Sequence, residues 1–488
     1  MKILFVCAEL SPWVKTGGLG DVAYALPRAL TKLNNDVRIL IPAYPGVLSA
    51  FKQSKVVCHP NSLGGDLPNC SLIEATSDDR IIHYLIDYQP FYQRPGNPYI
   101  DDNTKKAWDD NYLRFGLLSR IATWIATTES NLEWKPDIIH CNDWHTALAP
   151  WYLKFRDNTK QLPKVKSILS IHNLVYQGIF NKNTLPDLGI SEEHWHKDGV
   201  EFHGNLSFLK TGIHFADLIT TVSTSYAKEI KTTEFGCGLD NLIKKRQKSL
   251  IGIVNGVDKS WHPKTDPYLQ NPFVNYDISD FKIKKSINHQ ALQQRCNLSI
   301  NSKIPIFGIV SRLSNQKGLD LVIEIIDKII NLPAQIVLLG TGDLEIENQL
   351  LKLAKKYPSN FSVTIGFDET LAHQIEAGAD FFLMPSRFEP CGLNQMYSQI
   401  YGTIPIVRSV GGLKDTVSNY SPTKLKTVTG FVFIKDSSQA LLRVIKSAYR
   451  AWENIKIRNQ IIRNAMNTDF SWQKSALKYS KIYQKLTK

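Results

Sequence analysis

The chain has 488 residues, 43% of them hydrophobic and 21% charged, with 58 basic against 45 acidic side chains and a formal net charge of +13. That length exceeds a single hydrophobic core and predicts two domains, or three, of an ordinary soluble protein. Seven scattered cysteines without a C-x-x-C pair exclude a disulfide framework or zinc ribbon and predict a reducing, cytoplasmic setting.

No long apolar run is present to span a membrane, so no membrane partner is expected. The basic excess comes without an Arg-rich block or a recognisable nucleic-acid module; it reads as a lysine-rich solvated surface, and no nucleic acid is expected. The first apolar run, residues 3–8, stops at Glu9, too short for a signal peptide, and nothing resembles a transit peptide.

Residues 1–8 read as a strand. Leu19, Val22, Ala23, Leu26 and Leu30 share a helical face and predict a helix over 18–33. The turn between them, Lys15-Thr16-Gly17-Gly18-Leu19-Gly20-Asp21, is neither G-x-G-x-x-G nor a Walker A loop. Its glycines admit a close ligand, the helix start offers amides and Lys15 offers a cation. It is a candidate phosphate site, or else a turn that needs glycine only for packing.

A second strand is expected at 37–41. Residues 91–102, FYQRPGNPYIDD, form a loop that suits a sugar or an ordinary surface turn. A helix over 109–126 and a strand over 136–140 lead to Cys141-Asn142-Asp143-Trp144-His145. His140 and His145 lack the spacing and the third ligand of a metal site. Asp143 is placed as a helix N-cap, which can still turn its other oxygen to a ligand. The strand 166–171 ends at His172, well placed for a pocket at the carboxyl edge of a parallel sheet. Amphipathic helices are expected from there to Thr221, and residues 216–223 contain the last strand of this half.

The turn Asn255-Gly256-Val257-Asp258 and the Pro- and Asp-rich stretch behind it suggest a hinge near Gly256. Strands are then expected at 306–310, 335–339, 363–365, 381–384, 405–407 and 430–434, with a helix over 319–330. Two such runs predict two doubly wound α/β domains facing one another, 1–250 and 251–465. A final amphipathic helix within 466–488, bearing Trp472, Tyr479 and Tyr483, would pack back toward the first domain.

Two loops of the second half carry charge at strand ends. Arg312 and Lys317 share the turn of residues 311–318, where two cations need an anion such as a diphosphate, unless the loop is simply basic and solvated. Glu389 follows the strand at 381–384, beside the turn Pro390-Cys391-Gly392 and the helix-like run behind it. A carboxylate for hydroxyls beside amides for phosphate suggests a phosphorylated sugar; the plain alternative is a solvated Glu on a buried turn.

KTGGLGDV (15–22), FYQRPGNPY (91–99), HCNDWHTAL (140–148), SIHNLVYQG (170–178), TTEFGCGLD (232–240), NGVD (255–258), SRLSNQKG (311–318), GTGD (340–343), the stretch 386–417 and FSWQKSA (470–476) together resemble the bacterial glycogen synthase and plant starch synthase family. The resemblance implies a GT-B fold, two Rossmann-like domains across a deep cleft. It implies a glycosyltransferase of carbohydrate metabolism that moves glucose from ADP-glucose to the non-reducing 4-OH of an α-1,4-glucan, with retention, elongating glycogen. Lys15, Gly17, Gly18 and Asn255 would then contact the donor, and Arg312 and Lys317 its pyrophosphate. Glu389 would orient the glucosyl group, with the amides of Cys391, Gly392 and Leu393 on sugar or phosphate oxygens. His172 and Asp143 would stand at the reacting sugar. No metal or cofactor is implied, ADP-glucose being a substrate.

There are departures. Related retaining transferases carry a second Glu eight positions after the first, where this chain has Tyr397, so the ribose contact is left open; Asn394 and Ser398 also differ and could tune the donor pocket. Rival readings are another GT-B transferase, a nucleotide-sugar epimerase, or a glucan-binding protein without catalysis. A nicotinamide dehydrogenase lacks its glycine fingerprint here.

Overall fold

Short apolar runs bounded by turn residues become the strands of two sheets in the computed structural model, which describes residues 1–155 and 165–488. One unit comprises Met1–Gly256 and Ser471–Lys488, the other Val257–Phe470. Against the expected divisions after 250 and 465, the chain thus changes unit after Gly256 and after Phe470. Packing explains the first of these positions: a Cβ on Gly256 would stand 2.6 Å from the backbone of Trp472. The outgoing and returning strands of chain pass too closely for any side chain.

In the first unit, β1 (Lys2–Val6), β2 (Asp36–Pro42), β3 (Ser54–Cys58), β4 (Ser71–Thr76), β5 (Ile82–Asp87), β6 (Ile138–Asn142) and β7 (Lys166–Ile171) enter one sheet. β8 (Ile179–Asn181), β9 (Glu201–Phe202) and β10 (Asn205–Ser207) form a small separate sheet, and β11 (Leu218–Thr221) and β12 (Leu250–Gly252) rejoin the first. Its order is β12-β11-β7-β6-β1-β2-β5-β4-β3, parallel except where β4 runs antiparallel to β3 and β5. β1 lies inside the sheet with Ile3 to Val6 fully buried, as a strand covered on both faces must.

β3 and β4 extend the sheet antiparallel beyond β5, outside the strands expected from the sequence. Three expectations are corrected in this unit. The stretch up to Thr221 holds one helix of two turns, Phe208–Phe215, and otherwise strands and single 3-10 turns rather than amphipathic helices. The last strand of the sheet is β12, not the one before it. The 91–102 loop also begins inside a short helix, Gln89–Tyr92.

The helix Trp472–Thr487 packs on Gly18–Thr31 in this unit. Tyr483 is buried, and its hydroxyl lies 2.7 Å from His140 Nδ1, while His140 Nε2 lies 2.7 Å from Ser170 Oγ. His140 is thereby a core link between β6, β7 and the C-terminal helix.

The second unit is a six-stranded all-parallel sheet of β13 (Ile306–Val310), β14 (Gln335–Gly340), β15 (Phe361–Ile365), β16 (Phe381–Met384), β17 (Ile404–Arg408) and β18 (Phe431–Phe433). Its order is β15-β14-β13-β16-β17-β18, which puts the carboxyl ends of β13 and β16 side by side. The helix expected over 319–330 is two, Leu319–Ile323 and Ile326–Ile330, interrupted at Ile325.

Candidate functional site

In the first unit the groups gather where β1, β6 and β7 end. Glu9 is buried, and its carboxylate accepts from Thr16 N (2.8 Å), Thr16 Oγ1 (2.6 Å), Gly17 N (3.2 Å) and Tyr99 Oη (2.7 Å). One side chain therefore fixes the glycine-rich turn and the 91–102 loop together. Lys15 pairs with Asp21 at 2.8 Å, and its stem lies over Gly20. Gly17 is in ordinary extended backbone, and a Cβ there would meet nothing within 4 Å. Glycine here leaves open space in front of the turn; the backbone does not require it. Gly18 opens the helix, and Asn255 is buried at the end of this unit.

Asp143 precedes the 3-10 turn Trp144–Thr146, but its side chain caps nothing there. Instead Oδ1 accepts from His172 N at 2.7 Å and Asn173 N at 3.4 Å, so the N-cap expectation is replaced by a brace between two strand ends. Burial pushes the Asp143 carboxyl up to about 7; those two backbone bonds oppose the rise and the nearby Glu9 adds to it. Burial pushes His172 down to about 4, so its ring is neutral at pH 7.

The tautomer of His172 follows from its neighbour. The Asn142 amide nitrogen donates to Val6 O and His140 O, so its oxygen faces His172 Nε2 at 3.0 Å and that nitrogen carries the proton. His172 Nδ1 is left as an acceptor. His145 lies stacked on Tyr99, with ring centroids 4.6 Å apart, and belongs to the core. Among the described residues no group of His, Cys, Asp or Glu is arranged to hold a metal ion.

In the second unit Lys317 Nζ lies 2.6 Å from Glu389 Oε2, and Ser386 Oγ donates to the same oxygen at 3.1 Å. Two loops, after β13 and after β16, are clasped to make that contact. Arg387 N donates to Gln316 O, Gln316 Nε2 donates to Phe388 O, and the Arg387 guanidinium forks onto Asp320 at 2.8 and 2.6 Å. Gly318 has φ +66, and a Cβ on it would stand 2.2 Å from Pro385 O, so the loops approach only because glycine is there. The anion that the two cations were expected to need is supplied for Lys317 by the chain's own Glu389. Arg312 lies exposed on the same loop.

Cys391, Gly392 and Leu393 lead into the helix Asn394–Ile400, with Gly392 at φ +69. The Tyr397 ring stacks on Trp261 at 4.0 Å, and Trp261 stacks on His373 at 3.6 Å. Asn394 donates to Val310 O and Ser398 to the buried Glu376 carboxylate, so both side chains are engaged within their own unit. Sequence reasoning passed over Glu9, Trp261 and Phe367. Phe367 is 89% exposed just past the carboxyl end of β15, after Gly366 at φ +133. An acidic residue closing the first strand and an aromatic in a Gly-Phe-Asp-Glu turn were the signals available.

Residues 2–245 match the family described as starch synthase catalytic domain, and residues 292–468 match glycosyl transferases group 1. A glycogen synthase of Dechloromonas aromatica is 46% identical over 99% of this chain and 98% of its own length. One from Francisella tularensis subsp. novicida is 41% identical over 100% of this chain and 99% of its own. Among solved structures, the catalytic domain of starch synthase IV from Arabidopsis thaliana, bound to ADP and acarbose, matches with TM-score 0.88 and 30% identity, covering 100% of this chain and 99% of that one. A sucrose-phosphate synthase from Thermosynechococcus elongatus, at 16% identity and TM-score 0.60 over 99% and 98% of the two chains, shares the fold.

Proposed function

This chain belongs to the glycogen and starch synthase family of GT-B glycosyltransferases, and we propose that it moves glucose from ADP-glucose to the non-reducing 4-OH of an α-1,4-glucan with retention at the anomeric carbon. Glucosyl transfer from a nucleotide sugar to a glucan in glycogen synthesis is the family's activity and that of this enzyme. The nucleotide, the hydroxyl elongated and the stereochemical course are the proposed part. ADP as the nucleotide is supported by the plant starch synthase structure that binds it.

The observation that carries the reading is the Lys317–Glu389 pair at adjoining strand ends, with Arg312 exposed on the same loop. When the bond from C1 to phosphate oxygen breaks, negative charge grows on the departing diphosphate and the ring gains oxocarbenium character. Arg312 and Lys317 meet the first charge, and no metal is assigned a part. Glu389 Oε2 already receives Lys317 and Ser386, so Oε1 is the oxygen proposed for a sugar hydroxyl. The Asp143 carboxylate and His172 Nδ1 are both acceptors, suited to sugar hydroxyls and, for Asp143, to a positive ring. The departing phosphate takes the acceptor proton in a front-side attack. Lys15, Gly17, Gly18, Asn255, Tyr397 and the amides of 391–393 remain proposed donor contacts, and Phe367 offers a flat face to the base.

The seven free cysteines support a cytoplasmic enzyme; among the described residues no helix is long and apolar enough to cross a membrane. Labelled glucose offered to glycogen from ADP-glucose and UDP-glucose side by side tests the donor. Faster incorporation from ADP-glucose is expected; preference for UDP-glucose rejects that part of the reading.

A further inference from the structure

Between β1 and the helix Gly18–Thr31 the chain folds back on itself before it reaches the glycine-rich turn. Leu10 and Val14 exchange backbone hydrogen bonds of 2.9 and 3.0 Å, and Ser11 N donates to Gly20 O at 3.1 Å. These bonds close the base of the loop, where Leu10, Leu19 and Gly20 are buried. The tip is open: Lys15, Thr16, Gly17 and Gly18 are all exposed.

Glu9 supports that tip from behind, with its two oxygens used differently. Oε2 accepts from the backbone of Thr16 and Gly17, while Oε1 accepts from the hydroxyls of Thr16 and Tyr99. Four neutral donors replace the water that a carboxylate only 4% exposed has lost. Tyr99 is itself fixed: its ring stacks on His145, its N donates to Asn97 Oδ1 at 2.8 Å, and its carbonyl accepts from Asn111 Nδ2 at 3.0 Å and Trp108 N at 3.2 Å. An exposed tip is thus tied to two ordered supports, the end of β1 and Tyr99.

The same bonds decide which amides of the turn a ligand can use. Those of Thr16 and Gly17 are taken by Glu9. Gly17 keeps its bare Cα face, with open space where a Cβ would stand. The free amides begin with the first turn of the helix that opens at Gly18, since those N–H groups have no partner inside a helix. Where they stand is set by the two residues before them, which Glu9 holds.

We propose that Glu9 is a positioning residue for the sugar donor: through Thr16 and Gly17 it sets where Lys15 and the start of the helix meet the donor, without touching substrate itself. The role rests on the donor contacts proposed above for this turn. It is a role of hydrogen bonding and not of charge, because all four partners are neutral. A glutamine at position 9 can fill it, accepting both amides on Oε1 and donating from Nε2 to the Thr16 and Tyr99 hydroxyls, which have lone pairs to offer. A leucine can do neither.

The test measures glucose transfer by the full-length enzyme carrying Glu9→Leu, Glu9→Gln or Thr16→Val, each checked for folding by thermal melting. Glu9→Leu should lower kcat/KM for ADP-glucose about 10²-fold, the cost of a donor misplaced by about 1 Å. KM for glycogen should stay at the wild-type value. Glu9→Gln should remain within about tenfold of wild type, and Thr16→Val, which lacks one hydrogen bond at an exposed position, should lose about tenfold. Wild-type kcat/KM in Glu9→Leu overturns the role; if that variant does not fold, the same result in Thr16→Val overturns it. A glutamine variant as slow as the leucine variant also overturns it, since the charge itself would then be at work, and so does a glycogen KM that rises in step with the loss on ADP-glucose. If wild type transfers nothing from ADP-glucose to glycogen, the reaction falls instead and titration with ADP decides the role. Binding to Glu9→Leu weaker by about tenfold supports it, and equal binding overturns it.

Discussion

Lys317 and Glu389 hold each other at 2.6 Å, 18% and 9% exposed, so in the proposed reaction the diphosphate would meet a lysine already neutralised by a carboxylate. Arg312 is exposed, and no ion pair holds it among the described residues. The two cations therefore separate experimentally. Arg312→Ala and Lys317→Ala should each lower kcat by ~10²–10³, the usual cost of one charge-stabilising donor. Only Lys317→Ala should also lower stability, by about 1–3 kcal/mol, because it strands a largely buried carboxylate; thermal melting beside the rate assay distinguishes the two. Asp143 gives a pH signature. Its carboxyl, raised to about 7 in the fold, ionises across neutrality, so kcat/KM should rise through pH 7, and Asp143→Asn should flatten that limb. The stability sign is fixed by the same shift. The unfolded chain loses this proton near pH 4, so the fold loses stability as pH rises from there toward 7, and Asp143→Asn should gain on wild type at pH 8 but not at pH 4. His172 acts oppositely: lowered to about 4, it favours the fold above its unfolded value near 6.5 and loses that contribution as pH falls.

At the scale of elements, a buried hydroxyl helps tie the C-terminal helix to the first sheet, beside the ring contact of Tyr479 with His140. Tyr483→Phe removes the 2.7 Å contact to His140 Nδ1 and should cost about 1–3 kcal/mol in urea unfolding, with kcat unchanged because His140 stands in the core. Which elements could be read in advance follows from burial. β13 and β16 coincide with the stretches expected for them, because a strand covered on both faces is a continuous apolar run. β3 begins with three exposed residues and β8 to β10 hold two or three residues each, too short to show a period. Site residues at strand ends were legible for a related reason: glycine spacing and charge after an apolar run are local signals. The Lys317–Glu389 pair joins residues 72 apart in sequence, and Glu9 reaches Tyr99 across 90, so neither contact is written in any one stretch. Tyr397 shows the limit: its position was marked, but its partner Trp261 lies far back in the chain.

At the scale of the whole molecule, the GT-B fold divides the labour. On the proposed reaction, the second unit would carry the cations for a departing diphosphate, and the first would carry neutral His172 and the Asp143 carboxyl for sugar. Both roles presuppose one reaction, in which fixed positive side chains draw electrons away from C1. The most direct measurement is therefore glucose transfer from ADP-glucose to glycogen by wild type, Arg312→Ala and Lys317→Ala, each shown to be folded. The account predicts ready transfer by wild type and a loss of ~10²–10³ in both variants. Turnover near wild type in both would contradict it.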